Sequence, residues 1–119
     1  MPLYGSLAVR TISPGDQATL LSDETVATGD ASIAVAVASK DGAAEPVVAM
    51  SVRFDSAPTA VVVLQGALTD SDASYVTLAT STSTSPDLLT VTTAAQFLRA
   101  KLVSQSGGGG LTAVIRRSS

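Results

Sequence analysis

The chain has 119 residues and a net charge of −3, and it contains no Cys, His or Trp. That length points to one domain, large enough to bury a core without covalent staples. The missing residue types exclude an imidazole base, a thiolate, a zinc–sulfur site and any Ser-His-Asp or Cys-His arrangement within one chain.

Only 14% of the residues are charged, against roughly 25% in an average domain. A weakly acidic chain of this kind offers no basic face to nucleic acid. Ala, Val, Ser and Thr dominate the composition and predict a β-leaning surface of small side chains, one suited to packing against neighbours. No apolar run reaches the length of a membrane helix. Met1-Pro2-Leu3-Tyr4 has neither a basic stretch nor an apolar run of the secretory type, so synthesis in the cytoplasm without export is expected.

In chain order, Leu7 to Ile12 reads as a first strand, stopped by the turn residues Ser13-Pro14-Gly15-Asp16. Residues 1–12 are set apart as an N-terminal strand or docking arm, and residues 13–119 as the main domain. Leu20-Leu21 and Thr25 to Thr28 are short β candidates on either side of Asp23-Glu24. From Ser32 to Ala38 the pattern alternates, with Ile33, Val35 and Val37 on one face and alanines on the other. That alanine face is either half-covered by the chain itself or a close subunit contact. Lys40-Asp41-Gly42 fits a hairpin turn. Val48, Met50, Val52 and Phe54 then alternate with Val47, Ala49, Ser51 and Arg53.

Ala60 to Gly66 is almost continuously apolar and rich in valine, as a strand covered on both faces would be. An acidic turn bearing Asp70 and Asp72 follows, then strands at Tyr75 to Thr80 and around Leu89 and Val91. Ala94 to Leu102 has helical composition, but Leu98, Ala100 and Leu102 alternate with Arg99 and Lys101, and both neighbouring segments are β. Consistency along the chain favours a strand. Four glycines, 107–110, read as a hairpin loop before a last strand, Leu111 to Ile115. A phosphate loop would need a Lys after the glycines and a helix behind them. The sum is an all-β fold: an antiparallel β-sandwich or jelly roll of about eight short strands.

Few residues invite chemistry. Asp70 and Asp72 lack the remaining ligands of a calcium loop and read as turn formers. Four aromatics, Tyr4, Phe54, Tyr75 and Phe97, are too few for a sugar-binding cleft. No catalytic, cofactor-binding or metal-binding residue is assigned, and an enzyme is not expected. Arg116 and Arg117 make a small basic patch near the end, either solvated or available to an acidic neighbour. With Leu3 and Tyr4 they are the candidate interface residues.

A resemblance rests on Val63-Leu64-Gln65-Gly66, Asp70 and Asp72, Tyr75, Leu78-Ala79-Thr80 and Phe97-Leu98-Arg99-Ala100. This stretch resembles a β-sandwich module of tailed-phage virion proteins over roughly residues 60–117. Ala67 and Tyr75 depart from it, where Ser and Trp are usual. In physical terms, Gly66 would permit a bulge or bend, Tyr75 would cap the core with its hydroxyl wet, and Arg99 would pair with Asp70 or Asp72.

The resemblance implies a non-enzymatic virion protein of a bacteriophage. It would be a capsid decoration (cement) protein bridging subunits of the major capsid protein, acting as a homo-oligomer with a trimer favoured. Neck, tail or baseplate accessory proteins are the alternative, and a carbohydrate-binding surface module a more distant one. No cofactor, nucleic acid or membrane partner is implied.

Overall fold

The computed structural model describes residues 3–4, 10–24, 28–38, 46–54, 59–82, 87–106 and 110–118. The expected all-β sandwich is what the chain forms. Among the described residues there are eleven strands, beginning with β1 (Leu3–Tyr4), β2 (Arg10–Ile12) and β3 (Gln17–Glu24). β4 (Ala31–Ser32) and β5 (Val35–Val37) follow, then β6 (Val47–Phe54), β7 (Thr59–Ala67) and β8 (Val76–Ser81). The last three are β9 (Asp87–Thr92), β10 (Phe97–Ser106) and β11 (Leu111–Arg117). A 3₁₀ turn, Asp72–Ser74, sits between β7 and β8.

The strands form two sheets. In the four-stranded sheet the order is β3-β11-β6-β9, antiparallel throughout. The seven-stranded sheet is built on β10. Along one side β10 pairs antiparallel with β7, which in turn carries β8. On its other side it pairs with β5 and β4. Outermost lie β1, parallel to β4, and β2, parallel to β5. Those two parallel pairs depart from the expectation of purely antiparallel sheets. Parallel neighbours need a crossover rather than a tight turn, and here β3, in the opposite sheet, supplies it.

The core lies between the sheets. Val35, Val62, Leu64, Leu98, Ala100 and Leu102 from one sheet meet Val48, Met50, Val52, Leu111, Ala113 and Ile115 from the other. Strict alternation puts these residues on the inner faces. The Ala94 to Leu102 segment is therefore strand from Phe97 onward, with Leu98, Ala100 and Leu102 fully buried. β7 is buried on both faces from Val62 to Ala67, as its continuous apolar run predicts.

Bulges account for the places where alternation fails. Leu20 and Leu21 are adjacent yet both buried, because the β3–β11 register slips between Ala113 and Val114. One extra residue turns the strand by half a pleat and aims both leucines inward. Leu20-Leu21 belongs to one strand that runs on through Asp23 to Glu24; of the second candidate, residues 25–27 lie outside the described residues and Thr28 is in a turn. In the 32–38 segment, Ile33 and Ala34 fall out of strand and separate β4 from β5. Val35 and Val37 are buried as expected, and Ala34 is covered by a second cluster containing Ala67, Tyr75 and Phe97. At that position the chain covers its own alanine.

Two expected hairpins are not hairpins. β10 and β11 belong to different sheets, as do β5 and β6, so neither link joins paired strands. Residues 107–109 and 39–45 themselves lie outside the described residues. β7 and β8 are the only described strands that follow one another in the chain and also pair.

The turn at residues 13–16 forms as its composition predicts. Asp16 N–H donates to Ser13 O at 2.9 Å, and the Asp16 carboxylate accepts from Ser13 N–H at 2.9 Å. Gly15 has φ +88°, the conformation that a Pro-Gly turn of this type requires.

Candidate functional site

Five of the residues that carry the resemblance, Gln65, Asp70, Asp72, Tyr75 and Arg99, meet on the outer face of the seven-stranded sheet. In register, β10 sets Arg99 opposite Gln65 of β7. Leu98 and Ala100 face the core, so alternation sends Arg99 outward, yet Arg99 is only 4% exposed. The turn between β7 and β8 folds back over it.

Arg99 Nε donates to Gln65 Oε1 at 2.8 Å, and Nη2 donates to Asp72 Oδ1 at 2.9 Å. Its guanidinium carbon stands 3.9 Å from the centroid of the Tyr75 ring, a cation–π contact. The Tyr75 hydroxyl donates to Asp70 Oδ1 at 2.7 Å. Of the two acids in the turn, then, Asp72 takes the arginine and Asp70 takes the tyrosine. The Tyr75 hydroxyl is held by a carboxylate rather than left to water.

Electrostatics follow from these contacts. The hydrogen bond from Arg99, helped by its charge, holds the Asp72 carboxyl below its ordinary value of 3.8, although that side chain is 59% exposed. Burial raises the Tyr75 phenol above its ordinary value of 10.0, and the hydrogen bond to Asp70 raises it further. The network therefore keeps Asp72 charged and Tyr75 neutral.

Gly66 has a different role from the expected one. It lies inside β7, and neither a bend nor a positive φ marks it. A Cβ there would stand 2.8 Å from Ala95 Cβ and 2.8 Å from Leu78 Cδ1. The bulge falls on the facing strand: between Leu64 and Gln65 the partner register jumps from Ala79 to Thr77, which leaves Leu78 as the extra residue. Leu78 turns in over Gly66, so the glycine provides room for a close approach.

Next to Gly66 is a shallow hollow of about 290 Å³, lined chiefly by Leu68, Ser74, Val76, Leu78, Ala94 and Ala95. Leu98, Gly66 and Val76 stand in register across β10, β7 and β8. Val76 thus continues the core-facing row, but it is 61% exposed.

The candidate interface residues fall in different places. Arg116 is exposed. Arg117 is not at the surface: it is 0% exposed, a correction to its reading as a basic patch. Alternation along β11 sends it inward with Leu111, Ala113 and Ile115. Its Nη1 donates to Ile12 O at 3.0 Å and to Ala38 O at 2.7 Å, tying β11 to the ends of β2 and β5 in the opposite sheet.

Leu3 and Tyr4 form β1, parallel to Ala31 and Ser32. Within residues 1–12, the described parts are thus paired to the rest of the chain, and Ile12 is in the core. Residues 5–9 lie outside the described residues.

Gln65 and Arg117 had structural roles that a reading of the sequence missed. Gln65 carries a legible signal, a lone polar residue within the apolar run from Ala60 to Ala67. Arg117 carries none, because its acceptors are backbone carbonyls distant in the chain.

Among the described residues no group of three Asp or Glu side chains could hold a metal ion. Nor is any helix there long and apolar enough to cross a membrane. Comparison with known proteins returns no matching family model, no similar curated protein and no similar solved structure.

Proposed function

We propose that this chain is a non-enzymatic virion structural protein: a capsid decoration protein that bridges subunits of a phage head. What supports the reading is how the patterned polar residues are used. Gln65, Asp70, Asp72, Tyr75 and Arg99 bind one another rather than lining a cleft. Such a network fastens a turn to a sheet and makes a rigid surface. The low charge density and the abundance of small residues suit a protein packed among neighbours.

In this role the chain self-associates, with a trimer favoured by the resemblance. It binds the major capsid protein through many small contacts, whose strength comes from multivalency. Its place is the virion, after synthesis in the host cytoplasm.

The test is quantitative mass spectrometry of purified particles from a host that carries the gene. Copies in the hundreds support a decoration role, about a dozen would move the chain to the neck or tail, and absence from particles would overturn the reading.

A further inference from the structure

We infer that the outer face of the four-stranded sheet is a docking surface for a partner protein, and that it takes an acidic surface whose carboxylates flank a small apolar patch. The inward rows of β11, β6 and β9 fill the core. Alternation therefore turns Val114 and Arg116, Ala49, Ser51 and Arg53, and Leu88 outward. The other outward positions on these strands hold Thr or Val.

Register arranges them. Val114, Ser51 and Leu88 stand side by side across β11, β6 and β9, and Arg116, Ala49 and Thr90 form the next outward row. Arg53 stands opposite Thr112, one row beyond Ser51. Four residues along β6 and one strand across separate the two arginines, roughly 14 Å between backbones. A strip of small side chains lies between them, with Leu88 64% exposed at its edge.

Charge selects the occupant. The chain as a whole carries a net −3. Yet Arg53 and Arg116 are both exposed on this one face, whereas Arg99 and Arg117 are buried. Among the described residues no acid faces outward on β11, β6 or β9; Asp87 stands opposite Val52, in the core-facing row. A second copy laid face to face would set arginines against arginines, and like charges exclude it. Nucleic acid needs more phosphate contacts than two cations provide. Neither phosphates nor sugars match the apolar strip between the arginines. A protein surface supplies both carboxylates and apolar area.

Four strands about six residues long cover roughly 400 Å², below the roughly 800 Å² per partner of a standard interface. One copy therefore binds weakly, and an oligomer gains by multivalency. This deepens the proposed function and rests on that reading for the partner, the major capsid protein. It leaves the oligomer's own contacts to other surfaces.

The experiment adds the purified chain to particles made in a host from which its gene is deleted, and measures bound copies against concentration. The double variant Arg53→Gln, Arg116→Gln should bind about tenfold or more weakly. Lys101→Glu, in β10 of the other sheet, lowers the net charge by the same two units and should bind as wild type does. Raising salt from about 50 to about 500 mM should weaken the wild-type chain more than the double variant. Ser51→Glu, an exposed position between the arginines, should weaken binding about tenfold as well, with an unchanged circular dichroism spectrum. Should the double variant fail to fold, Ser51→Glu decides alone. Wild-type binding with undiminished binding of the face variants would overturn the docking surface and leave the virion reading standing. So would an equal loss in Lys101→Glu. A wild-type chain that does not bind the particles would overturn both.

Discussion

Arg99 is a buried cation with one charged partner at the surface and two uncharged ones beneath it. Replacing it with Ala leaves the Gln65 amide oxygen without its donor and removes the cation from the Tyr75 ring. The expected cost is about 2 kcal/mol from those two contacts, measured by urea denaturation. Amide exchange across residues 68–74 should quicken, because the turn loses its anchor; unchanged exchange there would show that the turn stands without Arg99.

Asp72 links the same turn to pH. Its folded-state value is depressed, so its contribution is present above its unfolded value of 3.8 and is lost as pH falls through the lower folded value. The stability difference between wild type and Asp72→Asn should therefore be constant near neutrality and shrink as pH falls from 3.8 through the lower folded value. Tyr75 works in the opposite range. Its value is raised, so its contribution is present below 10.0 and is lost as pH rises beyond it.

At the level of elements, β7, β8 and the segment before β10 interlock around the missing side chain of Gly66. The bulge at Leu78 drives a leucine over the glycine, and Ala95 closes on it from the other side. Leu78 Cδ1 is the far end of a flexible side chain and can move. Ala95 Cβ is fixed to its backbone and cannot move without it. Gly66→Ala should therefore destabilise by about 1–3 kcal/mol, the usual cost of overpacking, visible as a lower Tm. Removing the fixed obstacle with Ala95→Gly in the same chain should restore part of the loss. Full additivity of the two losses would mean that the contact is not the cause.

At the scale of the molecule the two sheets are joined by links that cross between them, and among the described strands β7–β8 is the only consecutive pair that forms a hairpin. The contacts are therefore mostly distant in sequence, and loops must close before pairing rewards them. Folding in milliseconds to seconds is expected by stopped-flow fluorescence of the tyrosines.

Arg117 closes the molecule by joining the last strand to the carbonyl ends of β2 and β5. Arg117→Met keeps much of the bulk and removes the donors. The expected loss is about 2–3 kcal/mol from bonds made by a charged group, with faster exchange at Ile12 and Ala38. A deletion of residues 1–12 cuts into the same joint, because it removes Ile12 from the core.

Strand identity and inward faces were legible in the sequence, because alternation is a local property and burial follows it. Val48, Met50 and Val52 need only their spacing to be placed in the core, and Leu98, Ala100 and Leu102 needed only their neighbours' β character to override helical composition. The acidic turn and its arginine were likewise visible as residue types. What the sequence left open was partnership. Which acid meets Arg99, which strands lie side by side, and that Arg117 is interior all depend on contacts between residues far apart in the chain. Two bulges also broke the local count, putting Leu20 and Leu21 on one face and Leu78 over Gly66. The physical reason is the same throughout. Periodicity sets which side of a strand faces inward, whereas register and sheet order arise only when two distant segments meet and every backbone donor needs a partner.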